Sequence, residues 1–391
     1  MRTMRVGVSV ALLIGGVMAC GGTDGQEEAG PPADTSADAR ADGPAAGWER
    51  LPDLPLEPRT GALAAWTGEE VLVVGGTRHL CPPDAECELP AVAPFADGAA
   101  YDSAAGTWRP VAGSPQGVTG DMPVATVGDA VYVLPGCGQA ECGPDSGPLL
   151  RYRPADDAWD ELPGVPSGNG AQALTAVGDD LVAHRTSDEH GVVPDWRFSV
   201  ATDTWEELPD DPLPPSYDRQ LVADGDDLML FAKPLGTGSP PGRVAGARLR
   251  SPDGAWTPLA PAPASGFQAW GVDGLVVLNP HFGAGAGGGL YDPDTDTWSP
   301  LPPPPAEDWD GDMAGALGAD TATYADNYTE GWVLDLAGGA PGTWREVRRL
   351  DDRSGPATTA VGRALFVAAG ARWPASAPDG ELLTDAWLWT P

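Results

Sequence analysis

Tyr101-Asp102-Ser103-Ala104-Ala105-Gly106-Thr107-Trp108 and Tyr291-Asp292-Pro293-Asp294-Thr295-Asp296-Thr297-Trp298 are two copies of one pattern. An aromatic residue and an acid are followed by small turn formers, and a tryptophan stands seven positions after the aromatic. Asp closes tight turns by bonding its own backbone and Gly supplies positive φ, so the pattern predicts a hairpin joining two strands. The same spacing links Tyr152 to Trp159, Phe198 to Trp205 and Leu249 to Trp256. Trp344 keeps the mark behind a longer turn, Leu336 to Gly342, with Val333-Leu334-Asp335 in place of the aromatic strand. Trp48 carries it with nothing in front. From Trp48 to Trp344 the gaps are 60, 51, 46, 51, 42 and 46 residues, and each tryptophan is followed three positions later by Leu or Val.

Upstream of each hairpin lies a pair of short apolar strands broken by a Gly/Asp/Glu turn. Gly61 to Trp66 leads to Val71 to Gly76, Val124 to Val127 to Ala130 to Leu134, and Leu221 to Ala223 to Asp227 to Phe231. Further copies begin at Ala173, Ala269 and Thr359. Aliphatic and β-branched runs of this length are strand signals, and no 3.6-residue apolar period competes with them. Four strands repeated every 40 to 50 residues is the period of a propeller blade. The expectation is an all-β, seven-bladed β-propeller with blades near 59–112, 119–164, 170–210, 218–260, 266–302, 311–348 and 354–391. Six blades is the fallback if 170–210 or 311–348 is not a complete sheet. The last blade lacks a fourth strand, and Gly47 to Leu51 is a fourth strand without a blade. Pairing the two closes the ring and removes a free edge.

With Gly75-Gly76 after the second strand, Tyr101-Asp102 next and Trp108 seven residues on, the first blade resembles the repeat of the Kelch family of β-propellers. The resemblance runs from about residue 46 to the C-terminus. It is degenerate in letters, with Pro135-Gly136 and Ala369-Gly370 in place of the doublet in two other blades. Kelch-like copper oxidases need a Tyr-His ligand pair and a Cys-linked tyrosine; no Tyr is followed by His here, so that chemistry is set aside. Kelch-type sialic acid mutarotases provide another precedent, an enzyme acting on a small acidic sugar in the central pocket.

The chain has 391 residues, 22 basic and 57 acidic, for a formal charge of −35, and Lys233 is its only lysine. That balance argues against nucleic acid and against charge-driven docking on anionic lipid. Met1 to Arg5 is basic, Val6 to Met18 is a short apolar core, and Val17-Met18-Ala19-Cys20 resembles a bacterial lipobox. Residues 1–20 are therefore expected to be a lipoprotein signal peptide with Cys20 as the lipidated residue. Residues 21–45, rich in Gly, Pro, Ala, Asp and Ser, read as a disordered tether, and 46–391 as the propeller. The protein is expected outside the cytoplasmic membrane, touching it through the lipid anchor only, and as a monomer. Four further cysteines, Cys81, Cys87, Cys137 and Cys142, allow three pairings; Cys81 with Cys87 and Cys137 with Cys142 would each staple one loop in an oxidising compartment. Neither pair has the CxxC spacing of a zinc site.

Catalytic residues are not legible. Four histidines, His79, His184, His190 and His281, form no metal-binding motif. Gly283 to Gly289 matches GxGxxG, but a strand follows it and no helix N-terminus is available to hold phosphate. The acidic cluster Asp308 to Asp312 lacks the Gly and Glu positions of an EF-hand, and Asp292 to Asp296 is the repeat's own turn. No metal and no cofactor is expected. The segments leading into the inner strands share one face with the connections between second and third strands. They supply the candidate ligand-binding residues Arg59, Asp121, Asn169, Arg219, Gln220, Gln268, Trp309, Asp310 and Arg353. Arginines grip carboxylates and aromatic rings stack on sugars, although an arginine here also suits contacts between blades. The preferred reading is a non-catalytic binding module for a protein or a glycan. The alternative is the mutarotase-like enzyme, with Arg59, Arg219 and Arg353 clamping the substrate carboxylate.

Overall fold

The computed structural model describes residues 47–390, except 83–92, 136–146, 167–172, 237–243, 251–253, 263–265, 273, 281–287, 303–312, 318–320, 327–329, 337–341, 349 and 375–378. Contacts divide the chain into Met1–Gly43 and Pro44–Pro391, and the described residues all belong to the second unit. They form seven four-stranded antiparallel sheets and a two-stranded ribbon.

The first strand, β1 (Trp48–Leu51), stands apart from the sheet that follows it. Blade one is β2 (Leu63–Trp66), β3 (Glu70–Val74), β4 (Gly98–Asp102) and β5 (Thr107–Val111). Blade two is β6 (Val124–Val127), β7 (Ala130–Val133), β8 (Leu149–Arg153) and β9 (Ala158–Leu162). Blade three is β10 (Ala173–Val177), β11 (Asp180–His184), β12 (Trp196–Ser199) and β13 (Thr204–Glu207). Blade four is β14 (Ser216–Asp224), β15 (Asp227–Pro234), β16 (Ala245–Leu249) and β17 (Trp256–Pro258). Blade five is β18 (Gly266–Val272), β19 (Leu275–Pro280), β20 (Gly289–Asp292) and β21 (Thr297–Pro300). Blade six is β22 (Met313–Leu317), β23 (Thr321–Asp326), β24 (Glu330–Asp335) and β25 (Thr343–Val347). The last sheet holds β26 (Ala357–Val361), β27 (Ala364–Ala368) and β30 (Ala386–Trp389), with the ribbon β28 (Ala371–Arg372) and β29 (Glu381–Leu382) between the latter two in sequence.

The order of that last sheet is β1-β30-β27-β26, and Trp48 faces Trp389 across the outer pair. The early strand thus supplies the fourth strand of the final blade, as its orphan tryptophan implied. Both weakly marked segments, 170–210 and 311–348, are complete four-stranded sheets. The inner strands β2, β6, β10, β14, β18, β22 and β26 each neighbour the next, and β26 returns to β2, so the sheets are arranged in a closed circle.

Each seam between neighbouring sheets is a separate apolar core. Between blades one and two sit Leu63, Leu72, Val74, Val131 and Tyr152; between blades three and four, Val182, Leu221, Leu230 and Leu249. Second strands are covered on both faces, which is why β7 and β27 read as unbroken apolar runs rather than alternating ones.

The repeat's aromatic and tryptophan face each other directly across the third and fourth strands, as Tyr101↔Trp108, Tyr152↔Trp159, Phe198↔Trp205 and Tyr291↔Trp298. Their ring centroids lie 5.2, 5.1, 4.9 and 5.0 Å apart. The residue two before the tryptophan must adopt positive φ, and Gly106, Asp157, Asp203 and Asp296 do so at 68°, 45°, 52° and 52°. In the Asp292–Asp296 turn, the Asp292 carboxylate accepts from the Asp294 and Thr295 backbones, while Asp296 accepts from the Tyr291 hydroxyl and the Ala260 N–H.

Each indole then reaches into the preceding blade. Trp108 donates to the Pro52 carbonyl, Trp159 to Ala112, Trp205 to Pro163, Trp256 to Pro209, Trp298 to Ala260, Trp344 to Pro302 and Trp48 to Arg348, at 2.8 to 3.2 Å. In every case the acceptor stands four residues after the previous tryptophan; the Trp48 bond ties the last blade to blade six, and the Trp108 bond carries the series across the junction of last and first blade. The recurrent tryptophan is therefore both a cross-strand packing partner and an inter-blade staple.

Candidate functional site

The connections after second strands meet the segments leading into inner strands on one face, as Thr60↔Thr77, Ser354↔Ala371 and Ser187↔Tyr217 show. Backbone bonds run from blade to blade along it. Gly61 donates to the Gly355 carbonyl at 2.7 Å, Gly120 to Gly61 at 2.8 Å, Gly370 to Arg59 at 2.9 Å and Gly76 to Val118 at 2.8 Å. The Gly75-Gly76 doublet has a steric cause: both residues have positive φ, and a Cβ on Gly75 would lie 2.0 Å from the Val118 carbonyl oxygen.

Arg59 and Arg353 occupy equivalent places and do equivalent things. Both are fully buried. Arg59 bonds the Gly75 carbonyl at 2.9 Å, grips Asp97 with both terminal nitrogens at 2.7 and 3.1 Å, and stacks over Phe95 with 4.3 Å to the ring centroid. Arg353 bonds the Ala369 carbonyl at 3.0 Å and grips two carboxylates, Asp351 at 2.7 and 2.6 Å and Asp385 at 3.2 and 2.9 Å. The Arg59 guanidinium holds the Asp97 carboxyl below its usual range. Burial alone would raise Asp385, but the bonds from Arg353 and from the Trp387 indole bring it below the usual range as well.

Blade four solves the same problem differently. Ser216, Tyr217 and Asp218 take the places of Arg59-Thr60-Gly61 and Arg353-Ser354-Gly355, with φ 49° at Asp218 against 61° and 57° at the glycines. Arg219 comes three residues later and reaches back. Its Nη1 bonds Asp188 at 3.1 Å and the Ser216 hydroxyl at 3.2 Å; its Nη2 bonds Asp211 at 2.9 Å and Asp195 at 3.4 Å. One guanidinium thus serves three carboxylates in a dry setting. Burial pushes Asp195 up to about 6 against the pull of Arg219. Burial likewise pushes the neighbouring His184 down to about 4, and its Nδ1 lies 3.3 Å from the Arg185 carbonyl.

The other candidates divide. Asp121 is exposed in a turn beside blade two. Gln220 spends its side-chain carbonyl on the Ala269 N–H of the next blade, at 2.8 Å. Gln268 lies on β18. Asn169, Trp309 and Asp310 lie outside the described residues, as do Cys20, Cys87, Cys137, Cys142, His281, the Gly283–Gly287 stretch and the Asp308–Asp312 cluster. Among the described residues no group of three or more His, Cys, Asp or Glu is placed to hold a metal ion.

The three arginines are therefore not a free carboxylate clamp; their donors are engaged by carboxylates and carbonyls of their own chain. Sequence reasoning missed those partners, Asp97, Asp195 and Asp385. A signal was present, because each is the acid immediately before a third strand, in Asp97-Gly98, Asp195-Trp196 and Asp385-Ala386. It also missed Val192 and Leu235, which are exposed on this face.

A closed circle of four-stranded antiparallel sheets stapled through one indole per sheet defines a β-propeller. No family model matches the chain. It is 27% identical over 279 residues to the Kelch-like protein terF of Aspergillus terreus, covering 64% of this chain and 58% of terF, so it spans little more than half of that relative's length. The solved structure of YjhT aligns with 87% of this chain and 97% of its own at a TM-score of 0.44 and 14% identity. In its Gly75-Gly76 doublet, its Tyr-Asp hairpins and its spaced tryptophans, the chain is similar to Kelch-repeat proteins.

Proposed function

We propose that the protein is a non-catalytic binding propeller, held outside the cytoplasmic membrane by a lipid on Cys20, that recognises a partner protein through the loop face. The observation that carries this reading is the state of the buried arginines. Arg59, Arg219 and Arg353 are each engaged by carboxylates of their own chain and tie the loop face into a frame. Such a frame presents its loops to a macromolecule with little ordering cost. Cys81 is disulfide-bonded, which supports loop stapling and an oxidising compartment. A glycan remains the second kind of ligand for this face. The acidic-sugar enzyme is less well supported, because a substrate carboxylate would have to displace Asp97, Asp385 or the Asp188–Asp195–Asp211 set from their guanidinium groups.

Site-specific photo-crosslinking in intact cells tests the reading. Crosslinkers at Ser187, Val192 and Thr77 on the loop face should capture a protein. Crosslinkers at Asp129 and Asp179 in the turns joining inner and second strands should not. Adducts formed only from those turns would overturn it. Adding sialic acid to the purified protein and following its anomeric exchange by NMR tests the alternative, for which no acceleration is expected.

A further inference from the structure

We propose that the corner of the loop face where blades three and four meet docks a protein segment that carries an apolar side chain among lysines or arginines. This rests on the reading of the loop face as the binding surface, and it names the place and the partner's chemistry.

Val192 is 63% exposed and Leu235 36% exposed, the two exposed large hydrophobic side chains among the described residues. They belong to different blades but meet at one segment. Asp188, in the loop that carries Val192, donates its backbone N–H to the Ser216 carbonyl at 2.7 Å, and Leu235 donates to Pro215 at 2.8 Å. Pro214 and Pro215 are exposed between them. Isolated surface hydrophobics need no explanation, but these two lie on loops that are both bonded to one proline-rich segment, and we read them with it as one apolar patch.

The patch is held rigidly. Asp188 and Asp195 bracket the loop and both bond Arg219, while Gly191 closes a turn by donating to the Asp188 carbonyl at 2.9 Å. A guanidinium buried beneath the loop thus fixes both of its ends, and Val192 is displayed from a preformed base.

Charge selects the occupant. Exposed Glu189 stands in the loop of Val192 and exposed Asp210 in the segment that leads to Pro214-Pro215, on a chain of net charge −35 with one lysine, and that lysine, Lys233, pairs with Asp218 at 2.8 Å. A second copy of the chain or an anionic lipid surface would be repelled. A segment with cationic residues beside its apolar anchor complements both features, with charge steering association and the apolar contact holding it.

The test uses the intact lipoprotein in detergent and three fluorescent synthetic peptides. The first interleaves leucine and tryptophan with lysine, the second replaces lysine by glutamate, and the third replaces the apolar residues by serine. The first should bind and the other two should bind about tenfold more weakly or worse, the loss expected when an interface anchor is removed. Val192→Ser with Leu235→Ser should weaken the first peptide by a similar factor, whereas Asp129→Asn with Asp179→Asn on the opposite turns should leave it unchanged. Equal binding of the serine peptide, or no loss in the Val192/Leu235 variant, would overturn the proposal. Crosslinks in cells from Thr77 but none from Val192 would sink this corner while sparing the loop face. No crosslinks from any loop would remove both readings.

Discussion

Arg219 faces three carboxylates, so the buried cluster around it carries more negative than positive charge when all are ionised. Asp195 bears the consequence. Its carboxyl titrates near 6 in the folded protein and near the ordinary 3.8 when unfolded. Between those values the folded state keeps a proton that the unfolded chain has lost, so stability from this group is greatest in acid and falls as pH rises towards 6. His184 runs the other way. Its ring is pushed down to about 4 from an ordinary 6.5, so the unfolded chain takes up a proton first and stability is lost as pH falls through that window. Each swing is on the order of 3 kcal/mol by linkage, and in the wild type they offset one another between about pH 4 and 6.5. Single variants separate them. Asp195→Asn keeps acceptors for the Arg185 N–H and for Arg219, so urea midpoints should match the wild type near pH 4.5 and exceed it near pH 8. His184→Gln should become more stable relative to the wild type on acidification. Parallel wild-type and variant curves across pH 4.5–8 would show that neither group titrates as assigned.

At the scale of the element, the seven indole staples explain why the tryptophan persists where the aromatic partner has drifted to Leu249 or Leu334. Packing against the neighbouring strand tolerates several apolar residues. Donation to a carbonyl in the preceding blade needs an indole N–H in a fixed place. Trp159→Phe keeps most of the ring's contact with Tyr152 but drops the bond to Ala112, and should cost about 1 kcal/mol, read as a lower urea midpoint with unchanged slope. Trp159→Leu removes the aromatic pair as well and should cost more, by about 0.5–1.5 kcal/mol. If the phenylalanine variant were as stable as the wild type, the staple would be geometry without energetic weight.

For the whole molecule, the parts legible in advance were those fixed by local periodicity. Tyr-Asp hairpins, Gly-Asp turns and apolar runs each announce themselves within a few residues, and the orphan Trp48 strand, with the last blade short of a fourth strand, pointed to the β1–β30 pair, in which Trp48 and Trp389 stand 341 positions apart. The site was less legible because its chemistry lies in long-range pairing. Nothing beside Arg59 in sequence says that Asp97 will neutralise it, and nothing near Arg219 says that Asp188 and Asp195, from the loop of the preceding blade, will hold it. Ring closure then governs the stability of the assembly. Removing residues 47–51 deletes the buried side chains Trp48 and Leu51, the staple to Arg348 and the strand that covers β30. Two apolar side chains at about 1.5–3 kcal/mol each, with the lost hydrogen bonds at about 1 kcal/mol each, approach the entire stability of an ordinary domain. The shortened protein should lose its single cooperative unfolding transition, and the bare edge of β30 should drive association, seen by calorimetry and light scattering. A circular permutant that joins Thr390 to Gly47 through a short Asp-Gly link and opens the chain between blades four and five contains the same strands. It should recover the cooperative transition, because closure depends on the β1–β30 pairing and not on the order in which the strands are connected. A permutant that failed to fold while the shortened chain stayed cooperative would reverse that conclusion.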